Sequence, residues 1–142
     1  MSTALSFNEA VDRLVQEDSR YDAEAYIFLR DALEATLKKR KKAKKEGTGS
    51  HVSADELLEG FRVHAIKEFG PMTPTVLGYW GLRSCEDIGN LVFNLVKFNI
   101  FAKTDQDTMD AFRAGFDFEE AFVLPFRPAG KLLSAGGADG VG

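Results

Sequence analysis

A chain of 142 residues with 44% hydrophobic and 11% aromatic content is long enough to close one core, burying roughly two-thirds of its unfolded surface, so one domain is expected. Its single cysteine, Cys85, excludes a disulfide within the chain and fits a reducing compartment. No stretch approaches the roughly 18 to 20 apolar residues of a membrane span, and the opening MSTALSFNEAVDR has neither the basic nor the apolar region of a signal peptide, so the expected location is the cytoplasm.

Charge is divided unevenly along the chain. There are 18 Lys and Arg against 22 Asp and Glu, yet seven of the eight residues from Lys38 to Lys45 are basic, which leaves 11 basic against 22 acidic residues elsewhere.

In chain order, Ser6 with Glu9 three residues later has the form of a capping box, and Phe7, Ala10, Val11, Leu14 and Val15 recur at helical spacing, predicting a helix from about residue 7 to 17. After the polar break Glu17 to Arg20, Tyr26, Leu29, Leu33 and Leu37 form one stripe with Phe28, Ala32 and Ala35 beside it, predicting a second helix that packs on the first. That helix should run on into the basic residues, because Lys and Arg are good helix formers and cations suit a helix C-terminus; Glu46 to Ser50 should end it.

A second capping box, Ser53 and Glu56, opens a helix through Leu57, Leu58, Phe61, Ala65 and Ile66 that should stop near Gly70 and Pro71. Thr73 and Pro74 read as the cap and first residue of a short helix closed by Gly81. Ser84, with Asp87 in the capping-box position, opens the most regular amphipathic pattern in the chain, Ile88, Leu91, Val92, Leu95 and Phe98 or Asn99.

Beyond it, Asn99 to Lys103 reads as a short strand, Thr104 to Asp107 as a turn, and Thr108 to Phe112 as a return strand, although Met109 to Phe112 could equally begin a helix. The aromatics of Phe116 to Pro128 should pack back over the body, and Ser134 to Gly142 should form a tail.

The expected fold is mostly α: an N-terminal helical hairpin (6–45), a basic hinge (38–50) and a winged-helix-like three-helix unit with a short two-stranded ribbon (53–122), all within one compact domain, 1–133. Three segments, HVSADELLEGFRVHAIKEFGPM (51–72), GYWGLRSCEDIGNLVFNLV (78–96) and DFEEAF (117–122), preceded by RYDAEAYIFLRDAL (20–33), resemble a small family found in planctomycete and verrucomicrobial bacteria. The resemblance covers most of residues 10 to 122 and implies no activity or ligand. The basic run and the glycine-rich end lie outside the resembling blocks.

Several residues are candidates for chemistry, each with a plainer reading beside it. Lys38, Lys39, Arg40, Lys41, Lys42, Lys44 and Lys45 would attract nucleic-acid phosphates or an acidic partner, or would simply be a solvated helix end. In a winged helix, the helix from Ser84 to Phe98 would present Glu86, Asp87, Asn90, Asn94 and Lys97 outward, with Asp105 and Asp107 at the wing tip. Acidic residues at both phosphate-facing places oppose DNA binding by that route and favour protein contact.

The cluster Gly70 to Pro74 and Gly78 to Gly81 would shape either a helix corner plugged by Tyr79 and Trp80 or a partner groove of Tyr79, Trp80, Arg83, Asn90 and Asn94. Cys85, at the start of a capped helix, would be a nucleophile only if His64 served as its base, against repulsion from Glu86 and Asp87. The spacing of two histidines, one cysteine and DQDTMD (105–110) fits neither a zinc site nor a calcium loop, so no metal and no cofactor are expected.

The expected function is therefore non-enzymatic binding of another protein, with nucleic acid as the alternative and no membrane contact.

Overall fold

The computed structural model describes residues 5–42, 52–101 and 108–127, without the side chains of residues 40–42. Among them the regular structure is entirely helical: α1 (Phe7–Glu17), α2 (Ala23–Lys42), α3 (Ala54–Phe69), α4 (Thr73–Tyr79), α5 (Cys85–Lys97), α6 (Met109–Arg113) and α7 (Phe118–Phe122), with 3-10 turns at Gly70–Met72 and Leu124–Phe126.

The capping boxes set the helix starts. Ser6 Oγ accepts from the Glu9 amide at 3.2 Å while Glu9 Oε1 accepts from the Ser6 amide at 3.0 Å, and Ser53 and Glu56 repeat the exchange at the head of α3. Each pair satisfies two amides that a helix start leaves without partners. Helix α3 ends at Gly70 in a left-handed φ of 52°.

Helices α2 and α3 run antiparallel and form the spine, since Phe28 near the start of α2 meets Phe69 at the end of α3 while Thr36 near the end of α2 meets Gly60. Phe28 is the hub of an aromatic cluster, with ring centroids 5.2 Å from Phe61, 4.9 Å from His64, 5.3 Å from Phe69 and 5.5 Å from Trp80. The core continues through Leu14 of α1, Leu77 of α4, Ile88, Leu91 and Leu95 of α5, Phe112 of α6 and Phe122 of α7.

The expected two-stranded ribbon is not there, and with it goes the winged-helix reading: no strand occurs among the described residues. After α5, Asn99 adopts a left-handed φ of 62°, and the Ile100 amide returns to the Leu95 carbonyl at 3.0 Å. That reversal is a helix C-cap, and it prevents the extended start a strand at Asn99 would need. The return strand is α6, capped by Thr108, whose side chain accepts from the Ala111 amide. Phe112 of α6 packs edge-on against Phe93 of α5 at 5.9 Å. The turn at 104–107, the end of the predicted strand at Ala102 and Lys103, the segment Glu46 to Ser50, His51 and the tail from Ser134 all lie outside the described residues.

Thr73 is also not a cap. It is fully buried as the first residue of α4, and its hydroxyl is directed back to the carbonyls of Gly70 at 2.7 Å and Ala65 at 3.2 Å, which ties α4 to the end of α3.

Gly81 seats the α1–α2 turn. It holds a φ of 92°, and a Cβ added there would lie 2.1 Å from the Arg20 carbonyl oxygen; alongside, the Asp22 amide donates to the Trp80 carbonyl at 3.1 Å. Gly81→Ala therefore combines a disfavoured backbone with a backbone clash, and a loss of about 3 kcal/mol is expected, read as a lowered urea midpoint. A midpoint within about 0.5 kcal/mol of the parent would show that the turn yields without cost.

Candidate functional site

Three of the residues expected at a partner groove, Tyr79, Trp80 and Arg83, line one depression. The other two, Asn90 and Asn94, do not. The depression is an open groove of about 570 Å³ between the α1–α2 turn (Ser19 to Ala23) and the α4–α5 corner (Gly78 to Gly81, with Arg83).

Its residues divide by role. Trp80 is half-buried and belongs to the aromatic cluster, 5.7 Å from Phe69 as well as against Phe28. Tyr79 points the other way and is 87% exposed, so the two aromatics do not both plug the core. Arg20 is committed to Asp18, with Nε and Nη2 on the two carboxylate oxygens at 2.9 and 2.7 Å. Arg83 is exposed, and its guanidinium makes no hydrogen bond or ion pair among the described residues; only its backbone amide is engaged, donating to Asp87 Oδ2 at 2.8 Å.

Of the α5 face expected to point outward, Glu86 and Lys97 are exposed, but Asp87, Asn90 and Asn94 are turned against the α1–α2 turn and the start of α2. Tyr21 Oη donates to Asp87 Oδ1 at 2.6 Å and accepts from Asn90 Nδ2 at 2.8 Å. One turn further on, Asn94 Nδ2 donates to Tyr26 Oη at 2.9 Å and to Asp18 Oδ2 at 3.1 Å. The ends are tied as well, Lys97 to Glu17 at 3.4 Å and Glu86 to Arg113 at 3.5 Å.

Positions 87, 90 and 94 share a helix face, and hydrophobic patterning alone assigns such a polar stripe to solvent. The available counter-signal was the pair Tyr21 and Tyr26, aromatic enough to be buried yet needing hydroxyl partners once buried.

The network shifts several groups. The Arg20 guanidinium, with help from Asn94, holds the Asp18 carboxyl well below the usual carboxylate range against the opposing effect of burial. Burial, then the Asp87 hydrogen bond, pushes the Tyr21 hydroxyl up to about 12, and burial raises Tyr26.

Cys85 is not brought to His64. It is 3% exposed, its Sγ lies 3.3 Å from the Phe116 carbonyl, and burial pushes the thiol up to about 11, while His64 packs at a tilt against Phe28. A thiol so placed is almost wholly protonated at neutral pH and is a poor nucleophile.

No group of three or more His, Cys, Asp or Glu among the described residues is arranged to hold a metal ion, and none of the described helices is long and apolar enough to cross a membrane. Of the basic run, Lys38 and Lys39 are exposed on α2, which continues as helix through Lys42; Lys44 and Lys45 lie outside the described residues. A second groove, of about 790 Å³, lies between α2 and α3 with Thr36, Lys39, Gly60, Val63, His64 and Lys67 among its lining residues.

Compared with protein-family models, with curated proteins and with solved structures, the chain matches none.

Two outcomes are expected from this geometry. Cys85 should react with iodoacetamide only through global unfolding, in proportion to the unfolded population, so alkylation in buffer should be slower than in 6 M urea by about the folding equilibrium constant, 10³-fold or more; equal rates would mean an accessible thiol.

Stability should also fall at alkaline pH. Tyr21 and Cys85 have folded values of about 12 and 11 against ordinary values of 10.0 and 9.0, so their contribution is intact below about pH 9 and is lost as pH rises to about 12. Asp18, lowered from 3.8, contributes above that value and loses its contribution as pH falls below it. Tyr21→Phe should cost about 1 to 3 kcal/mol at pH 7 and flatten the alkaline loss. A variant as stable as the parent, with an unchanged alkaline profile, would remove Tyr21 from this account.

Proposed function

We propose that the protein is a binding module whose partner is another protein, engaged at the Tyr79–Trp80–Arg83 groove. The observation that carries this reading is the pairing of an 87% exposed tyrosine with an arginine whose guanidinium has no partner among the described residues, beside a half-buried tryptophan. Tyr, Trp and Arg are the residue types over-represented among energetic anchors of interfaces.

An exposed tyrosine between Gly78 and Trp80 contributes little to its own fold. It therefore offers a large amphipathic surface at small ordering cost when a partner covers it.

The chemistry of the occupant follows from the free charge. Arg20 is already matched by Asp18, so among the described residues Arg83 is the lining cation left to bind a carboxylate, with the Asp22 carboxylate on the opposite side of the groove, while Tyr79 and the open edge of Trp80 take an apolar side chain. The partner segment thus presents a single carboxylate to Arg83 with an apolar neighbour, and bidentate guanidinium-carboxylate geometry would fix its register. Tyr79, Trp80 and Arg83 also lie inside the blocks that carry the family resemblance, whereas the basic run lies outside them.

The test is photocross-linking in cells of the source organism, with a photoreactive phenylalanine at position 79 and a control at Asp12, exposed on α1. Position 79 is expected to capture one dominant protein, resistant to nuclease, through a peptide containing Asp or Glu. Adding Arg83→Glu should reduce that adduct at least tenfold. An adduct pattern matching the Asp12 control, or one indifferent to Arg83→Glu, would end the proposal.

A further inference from the structure

The groove at Tyr79 is divided by sign, and that division constrains its occupant beyond the carboxylate that Arg83 takes. Building on the groove reading above, we infer that the partner's segment carries a basic side chain as well as an acidic one, with its apolar residue between them, and that Asp22 is the residue that selects the base.

Three observations carry it. First, the two walls present opposite charges that do not meet. Asp22 stands on the α1–α2 turn and Arg83 at the α4–α5 corner; both are exposed and both line the groove, yet among the described residues neither side chain forms an ion pair with the other or with a third group. Each charge is left open to a ligand that lies between them.

Secondly, Asp22 is held in place. Its Oδ2 accepts from the Glu24 amide at 2.9 Å, its own amide donates to the Trp80 carbonyl at 3.1 Å, and its carbonyl accepts from the Ala25 amide at 3.0 Å. The carboxylate is thereby fixed beside Trp80, immediately before α2, and its Oδ1 accepts no hydrogen bond from the described residues.

Thirdly, the charges around Asp22 do not neutralise it. The neighbouring cation, Arg20, is committed to Asp18 through two hydrogen bonds, and Glu24, the second residue of α2, is acidic and exposed. The amides at the start of α2 offset about half a charge, so the turn wall remains anionic.

This arrangement selects both composition and direction. A segment that satisfied Arg83 alone would cover Asp22 and strip water from a carboxylate without replacing it, and a second acid at that end would add repulsion. A Lys or Arg there removes both effects, and its aliphatic stem can lie along the edge of Trp80. Val15, Tyr79 and Trp80 supply the apolar surface between the two charges. A segment reversed in the groove would set acid against acid and base against base, so the charged pair also rejects the wrong orientation.

The test pans a phage-displayed library of random dodecapeptides against the full chain and discards clones that also bind Tyr79→Ala. The retained peptides are expected to carry Lys or Arg on one side of an apolar residue and Asp or Glu on the other. One of them, labelled with fluorescein, is then measured by fluorescence anisotropy against the parent and against Asp22→Asn, which removes the charge but keeps the helix cap because Asn and Asp serve equally there; the circular-dichroism spectrum should be unchanged. Replacing the peptide's base by Gln should weaken binding to the parent about two- to fivefold, the range of an exposed ion pair, and should leave binding to Asp22→Asn unchanged, the mark of a direct pair.

Retained peptides without a base, or a base whose replacement weakens binding to Asp22→Asn as much as to the parent, would overturn the inference while leaving the groove reading in place. A library that yields no Tyr79-dependent peptide would overturn the groove reading itself, and the role of Asp22 with it.

Discussion

The structure depends on one polar seam, in which the Asp87, Asn90 and Asn94 face of α5 meets the hydroxyls of Tyr21 and Tyr26. Two aromatic rings are buried because each hydroxyl finds a partner on α5; without those partners, burying them would leave unsatisfied polar groups. The seam holds the α1–α2 turn over the α4–α5 corner, and the space left between turn and corner is the groove. The same carboxylate that receives Tyr21 also receives the backbone amides of Arg83 and Ser84. Asp87 is thus both a helix cap and a tertiary contact, and the two roles reinforce one another in a partly buried site.

Local signals in the sequence were legible wherever a short stretch decides the outcome. The start and end of α1, the capping boxes at Ser6 and Ser53, the continuation of α2 into the basic residues and the stop of α3 at Gly70 all follow from side-chain caps, propensity and proline.

What failed required tertiary knowledge. A five-residue helix such as α6 is too short for periodicity to separate from a strand, and the left-handed Asn99 that reverses the chain is a non-glycine exception that composition does not mark. Thr73 resembled a helix cap because its residue type and the following proline fit one, whereas in the fold its hydroxyl faces the end of α3.

The candidate groove was half legible for the same reason. Glycines flanking a Tyr-Trp pair announced a corner, and the corner exists, but the sequence could not say which aromatic faces inward. Trp80 does so because Phe28 and Phe69 provide a pocket of rings for it, and one residue earlier on a helix Tyr79 is rotated by about 100° away from that pocket. Asn90 and Asn94 were assigned to the groove because polar residues on an amphipathic helix are usually wet; here they are the inner wall behind it.

Helix α2 starts at the groove, where Asp22 and Ala23 form part of the lining, and ends in the basic residues. At 1.5 Å per residue its two ends are about 30 Å apart. It therefore acts as a rigid spacer: a short ligand seated at Tyr79 could not also touch the far end of the helix. A partner that engages both ends of the helix must itself span that distance.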